Sequence, residues 1–222
     1  MTKDAPGKIH RSGAANWSIS SEVLDYAKSL IPPNGRTLET GSGHSTIFFA
    51  KQGYRHTAIT PSQDEVDRIK AYCKDNGIDM GRVDFMVEPS ELAMPRFEDA
   101  IDFFLIDGGH GFPVPQIDWY YGSKRLKVGG VIGIDDIHTW TGKILVDFLK
   151  RDPSWTQLET IDLKTAFFRL NKPFVYQEWD EQPFVRRKSK QIIFGRKVRR
   201  FGRRLVRGQW GGLVRSFLRS RK

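Results

Sequence analysis

The sequence predicts an α/β fold, a doubly wound and mostly parallel sheet of seven strands, followed by a basic C-terminal extension. Three observations point there. Short β-type runs alternate with stretches of helical period, which is the order of βαβ units. The run Ile101–Ile106 is apolar on both faces, as a buried parallel strand is. A glycine turn, Gly41-Ser42-Gly43, joins the first strand to the next helix, where the backbone can approach a ligand and helix N–H groups are free.

The elements follow in order. Val23, Leu24, Ala27 and Leu30 share one face, so residues 20–30 read as a helix capped by Ser20 or Ser21 and stopped by Pro32, Pro33, Asn34 and Gly35. Thr37–Thr40 is the first strand, and an apolar helix over 45–51 follows the glycine turn. His56–Thr60 is the second strand. The amphipathic stretch 63–76 is a helix closed by Gly77. Val83–Val87 and Ile101–Ile106 are the third and fourth strands, with a helix over 114–126. The Val128-Gly129-Gly130 turn leads into the strand Val131–Ile134. A helix over 141–150 and two β-type runs, 156–161 and 166–170, close the body.

Composition sets further bounds. A single cysteine, Cys73, excludes an internal disulfide and a cysteine-based zinc cluster. The first 15 residues lack an apolar core of the secretory type, and no apolar run is long enough to span a bilayer, so a cytoplasmic location is expected. The net charge of +10 is unevenly placed. From Pro183 onward there are 15 Lys or Arg and no acid, whereas the preceding residues carry 21 basic and 26 acidic side chains, a net of −5. The expected organisation is an N-terminal arm over 1–18, a catalytic-type body over 19–172, a linker over 173–185 and a basic amphipathic tail over 186–222.

The glycine turn by itself also fits a plain strand-to-helix connection. It does not fit a nicotinamide dinucleotide, because Thr46 stands where the third glycine of that fingerprint belongs and no acid ends the second strand at Ala58-Ile59-Thr60-Pro61. No Gly-Lys-Ser/Thr follows, which excludes a P-loop. Two acidic clusters end later strands: Asp107-Gly108-Gly109-His110 and Asp135-Asp136-Ile137-His138. A single Asp there would read as a turn cap. Three carboxylates converging on one sheet edge repel each other unless a cation or hydrogen-bond donors neutralise them, and oxygen donors favour a hard ion such as Mg²⁺. His138 reads as structural. Trp119, Tyr120 and Tyr121 read as core packing, and Trp140 as a wall for a substrate.

Together these residues resemble the class I S-adenosylmethionine-dependent methyltransferases, over roughly Trp17–Leu170. Glu39-Thr40-Gly41-Ser42-Gly43-His44-Ser45 is similar to the family's first motif, and the strand-ending Asp107 and Asp135-Asp136 are similar in spacing to the metal-dependent O-methyltransferases, including catechol O-methyltransferase and the macrolide-sugar and cephalosporin-tailoring enzymes. The resemblance implies a Rossmann-like methyltransferase sheet with S-adenosylmethionine and Mg²⁺ as cofactors. It implies that Glu39, Gly41, Ser42, Gly43 and Ser45 surround the methionine part of the cofactor, that Ser90 lies near the adenine, and that Asp107, Asp135 and Asp136 bind the metal, Asp107 also lying beside the cofactor. Thr60 stands where the family usually places the acid for the ribose hydroxyls. Gly109 and His110 stand where related enzymes carry a Lys or Asp base, and His110 is a chemically sensible replacement because imidazole titrates near neutral pH. The implied acceptor is a small molecule or glycan hydroxyl, and related enzymes are often homo-oligomers.

In the tail, Phe194, Val198, Phe201 and Leu205 recur at helical spacing among Lys and Arg, and Leu213 and Phe217 continue the pattern with Trp210 nearby. An anionic membrane surface suits such a segment. Gly195, Gly202, Gly208, Gly211 and Gly212 weaken the helix, and nucleic acid ranks below the membrane because no base-reading motif is present. The competing reading of the whole chain is a methyltransferase-like module without turnover that binds a membrane or polyanion, favoured by the missing acid at Thr60.

Overall fold

The computed structural model describes residues 19–206. Seven strands form one sheet in the order β3-β2-β1-β4-β5-β7-β6, with β1 Arg36–Thr40, β2 Arg55–Ile59, β3 Val83–Met86, β4 Ile101–Ile106, β5 Leu126–Ile134, β6 Trp155–Ile161 and β7 Thr165–Leu170. β1 to β5 run parallel and β7 runs antiparallel to both β5 and β6. The helices are α1 Ser21–Leu30, α2 His44–Lys51, α3 Gln63–Asp75, α4 Ser90–Ala93 with a 3-10 turn Met94–Arg96, α5 Val114–Arg125, α6 Trp140–Leu149 and α7 Pro183–Val206.

Two apolar layers hold the sheet, one on each face. Side chains alternate across a strand, so β4 gives Phe104 and Ile106 to one layer and Phe103 and Leu105 to the other. The first layer continues through Ala93, Met94, Leu145 and Leu149 of the helices after β3 and β5. The second takes Val23, Leu24 and Ala27 of α1 and Phe49 of α2, and a smaller cluster of Ile47, Ile69 and Cys73 packs α3 beside it. Local chemistry sets the helix starts: Ser20 accepts from the Val23 N–H, Ser62 from Glu65 and Thr139 from Gly142.

Two details depart from the sequence reading. β5 begins at Leu126, so the Val128-Gly129-Gly130 segment lies inside the strand; Gly129 takes a left-handed φ of 87° and the pairing with β4 shifts register between Ile101 and Phe103, which absorbs the glycines. The short helix α4 between two prolines, Pro89 and Pro95, has too few residues to show a period.

The chain divides into two units, ending and starting at Val175 and Tyr176. The second contains α7, which begins at Pro183, inside the expected linker, and runs helical through Gly195 and Gly202. The N-terminal arm, and Gly208, Trp210, Gly211, Gly212, Leu213 and Phe217 of the tail, lie outside the described residues.

Candidate active site

The order of the sheet reverses between β1 and β4, and register places the strand ends side by side: Thr40 opposite Ile59 and Ile106, and Ile106 opposite Ile134. The residues just beyond them are Gly41, Asp107 and Asp135. The backbone stitches them together, since Gly41 donates to Ile59 O (2.8 Å), Asp107 to Thr40 O (3.0 Å) and Asp135 to Ile106 O (2.9 Å). Gly41 has φ 96°, and a Cβ there would collide with the Asp107 carbonyl, so only glycine lets these two loops meet.

A cavity of about 560 Å³ opens at this switch point. It is lined by Gly41, Ser42, Gly43 and Ser45 after β1, by Thr60 after β2 and Ser90 after β3, and by Asp107, His110 and Asp136 after β4 and β5. His44, Glu65, Glu91 and Val114 also line it. Two residues expected at the site do not. Glu39 is buried beneath the turn, where its Oε1 accepts from Thr46 Oγ1 and lies 3.1 Å from His56 Nε2. Thr46 Oγ1 in turn accepts from the Gly43 N–H at 2.9 Å, so Glu39 braces the turn from below. Asp135 is buried too; it accepts from Thr165 Oγ1, and the Lys164 ammonium stands 3.2 Å from its Oδ2.

Asp107, His110 and Asp136 form a tight group, with one donor atom from each lying within 4.8 Å of the others. His110 Nε2 is 3.0 Å from Asp136 Oδ2, while His138 Nδ1 and Lys164 Nζ each lie 3.7 Å from Asp136 Oδ1. Asp136 holds a left-handed φ of 51°, a conformation Asp tolerates better than most residues, and Thr139 and Thr141 hydroxyls fix the loops around it by donating to Asp136 O and His110 O. Burial, and then the negative charges of Asp135, Glu39 and Asp136, push the Asp107 carboxyl well above the usual carboxylate range. Burial draws His44 down, toward the neutral imidazole.

Phe112, on the loop carrying His110, and Trp140, the first residue of α6, stand at 66% and 67% exposure with ring centroids 6.2 Å apart. Trp119 packs on the core and makes edge contacts with Phe148 and Phe174, as expected for a structural residue. The sequence reading missed Glu65, Lys164 and Phe112.

The methyltransferase domain family matches residues 38–137, which span the glycine turn through the second acidic cluster. No curated protein matches the chain. Among solved structures, a cofactor-bound protein of MTB, Rv0187, shares 17% identity over 71% of this chain and 84% of its own, with a TM-score of 0.59. An SAH-bound methyltransferase of Podospora anserina shares 18% identity over 73% and 83%, with a TM-score of 0.58. An rRNA methylase of Streptococcus thermophilus shares 16% identity over 68% and 95%, with a TM-score of 0.52. These likenesses establish the fold, and the family match covers the loops that build the cavity. The chain has the Rossmann-like methyltransferase fold, and its residues 38–137 are similar to the methyltransferase domain family.

Proposed function

We propose that the chain methylates a hydroxyl of a small molecule or sugar, assisted by a divalent cation. The observation that carries this reading is the single cavity that brings the glycine turn and the Asp107–His110–Asp136 group together. The methionine part of the donor lies against Gly41, Ser42, Gly43 and Ser45, its carboxylate at the N-terminus of α2, and the adenine lies toward Ser90.

The residues present fit a hard dication. Asp107, Asp135 and Asp136 carry three formal negative charges, and Lys164 offsets one, leaving the charge that a divalent ion neutralises. Asp107 and Asp136 would hold it, with Asp135 buttressed behind by Lys164. When bound, it lowers the pKa of a hydroxyl and orients it. His110 takes the hydroxyl proton at Nδ1, while its Nε2–H faces Asp136 Oδ2 at 3.0 Å, which steers the ring. When bound, the donor would supply an activated methyl to that oxygen, the O–C bond forming as the S–C bond breaks and its electron pair stays on sulfur. Phe112 and Trp140 supply an apolar wall for the acceptor.

Calorimetry with S-adenosylhomocysteine and then NAD tests the donor, and a screen of catechol and sugar hydroxyls with Mg²⁺ or EDTA tests the chemistry. Micromolar binding of the first ligand alone, with turnover lost in EDTA and restored by Mg²⁺, is expected. Undiminished turnover in EDTA would remove the cation.

For α7 we infer contact with an anionic membrane surface. Among the described residues no helix is long and apolar enough to cross a membrane. α7 carries ten Lys or Arg and no acid, while Ile192, Ile193, Phe194, Val198 and Phe201 are exposed. Phe194, Val198 and Phe201 share one face, so the helix can bury apolar side chains at an interface while its cations meet lipid phosphates.

A further inference from the structure

We infer that Glu65 holds the ribose of the cofactor, in place of the acid that is missing at the end of β2; this rests on the methyltransferase reading above. Ribose presents two neighbouring hydroxyls, and a carboxylate accepts both in charge-assisted hydrogen bonds. At the tip of β2 the chain offers only Thr60, a neutral hydroxyl. Five residues later, on the first turn of α3, Glu65 brings a half-buried carboxylate back to the same place and lines the cavity. Its Oε2 accepts from Thr60 Oγ1 at 3.2 Å and from Ser42 Oγ at 3.3 Å.

The local geometry explains how a helix-start residue reaches that position. Ser62-Gln63-Asp64-Glu65 has the spacing of a capping box, in which the Glu at the third helical position turns back to the N-cap N–H. Here the Ser62 hydroxyl caps the Glu65 N–H at 3.3 Å, and the Ser62 N–H donates to Thr60 Oγ1 at 3.4 Å. Thr60 therefore serves both sides: it satisfies the N-cap and points its own proton at the Glu65 carboxylate. The carboxylate is fixed between the turn that takes the methionine part and the strand end beyond which Ser90 stands. That is the order of the cofactor itself, with ribose between its two ends. Glu91 also lines the cavity, but it is exposed and adjoins Ser90, on the adenine side.

Calorimetry on the full chain tests this with S-adenosylhomocysteine and with its 2′-deoxy analogue. For wild type, removing the 2′ hydroxyl should weaken binding about 10-fold or more, and Glu65→Gln should weaken S-adenosylhomocysteine about 10- to 100-fold. In Glu65→Gln the penalty for the deoxy analogue should shrink to a few-fold, because the 2′ hydroxyl no longer meets a charged acceptor. Glu91→Gln should change both affinities less than 2-fold. Circular dichroism and melting of Glu65→Gln should match wild type, since glutamine keeps the helix start. An unchanged penalty for the deoxy analogue in Glu65→Gln, or its disappearance in Glu91→Gln, overturns the assignment while leaving the methyltransferase reading intact. A wild-type chain that binds neither nucleoside overturns both.

Discussion

The Lys164 ammonium stands 3.2 Å from Asp135 Oδ2, so a cation from the turn between β6 and β7 neutralises a carboxylate at the end of β5. Asp135 is fully enclosed, and its other oxygen is held by Thr165. Burial pulls the Lys164 pKa down, but Asp135 and then Asp136 and Asp107 outweigh it, and the net direction is upward. Its stabilising contribution is therefore complete below the ordinary lysine value and is lost only as pH climbs through the higher folded value. Lys164→Met leaves Asp135 charged and enclosed without its partner, a situation that costs about 3 kcal/mol. Urea unfolding at pH 7.5 should show that loss, and adding Asp135→Asn should restore more than half of it. A loss near zero would mean that solvent already screens the pair.

His110 is oriented by Asp136, with Nε2 3.0 Å from Oδ2. A base acting on an acceptor hydroxyl contributes about 100- to 10,000-fold. His110→Ala should therefore lower kcat by about that much at pH 7, with the affinity for S-adenosylhomocysteine unchanged within 2-fold. The variant's rate should rise steadily with pH as the acceptor hydroxyl ionises unaided. A normal rate at pH 7 would remove His110 from the chemistry.

Features set by short-range interactions are legible in the sequence, and those set by distant partners are not. Most strands and helices fall within a residue or two of their expected bounds because each is written in a local period, β5 and α4 excepted; Gly41 was legible because it opens a Gly-x-Gly turn, and Asp107 and Asp136 because they stand within two residues of the ends of apolar strands. Glu65 was not, since an acid in the first turn of an amphipathic helix ordinarily does nothing more than meet the helix dipole. Its role depends on Thr60 and on Ser42, which is 23 residues away. Lys164 was invisible for a similar reason: its partners lie on another strand, and nothing in Asp162-Leu163-Lys164 marks the turn as part of a site. Glu39 sits in the expected motif, but whether such a residue faces the ligand or braces the turn depends on Thr46 and His56, which fix its carboxylate only in three dimensions.

Asp118, on α5, is fully buried, with the Ser90 and Thr40 hydroxyls near its carboxyl group. Burial raises its pKa to about 6, with the nearby Ser90 and Thr40 hydroxyls holding back part of the rise. Between the unfolded value near 4 and the folded value near 6, the native state binds more protons than the unfolded one, so this group makes stability fall as pH rises through that window. Above it the cost is roughly 3 kcal/mol, two pKa units at about 1.4 kcal/mol each. Asp118→Asn should raise the melting temperature at pH 8 and leave it nearly unchanged at pH 4. An equal shift at both pH values would trace the effect to packing and not to charge.

The basic helix makes a prediction that separates its two physical components. Cations on α7 act through long-range attraction that salt screens over about 8 Å at physiological ionic strength, whereas Phe194, Val198 and Phe201 act only on contact. Binding to phosphatidylserine-containing vesicles should therefore weaken about 10-fold or more between 0.1 and 0.5 M salt. Replacing Phe194 and Phe201 by Ser should weaken it at both concentrations, because the apolar part is removed without changing charge. A chain ending before Arg186 should bind neither vesicle type yet keep its affinity for S-adenosylhomocysteine. Equal binding to neutral vesicles would remove the electrostatic part, and tighter binding to a short RNA duplex than to anionic vesicles would assign the helix to nucleic acid instead.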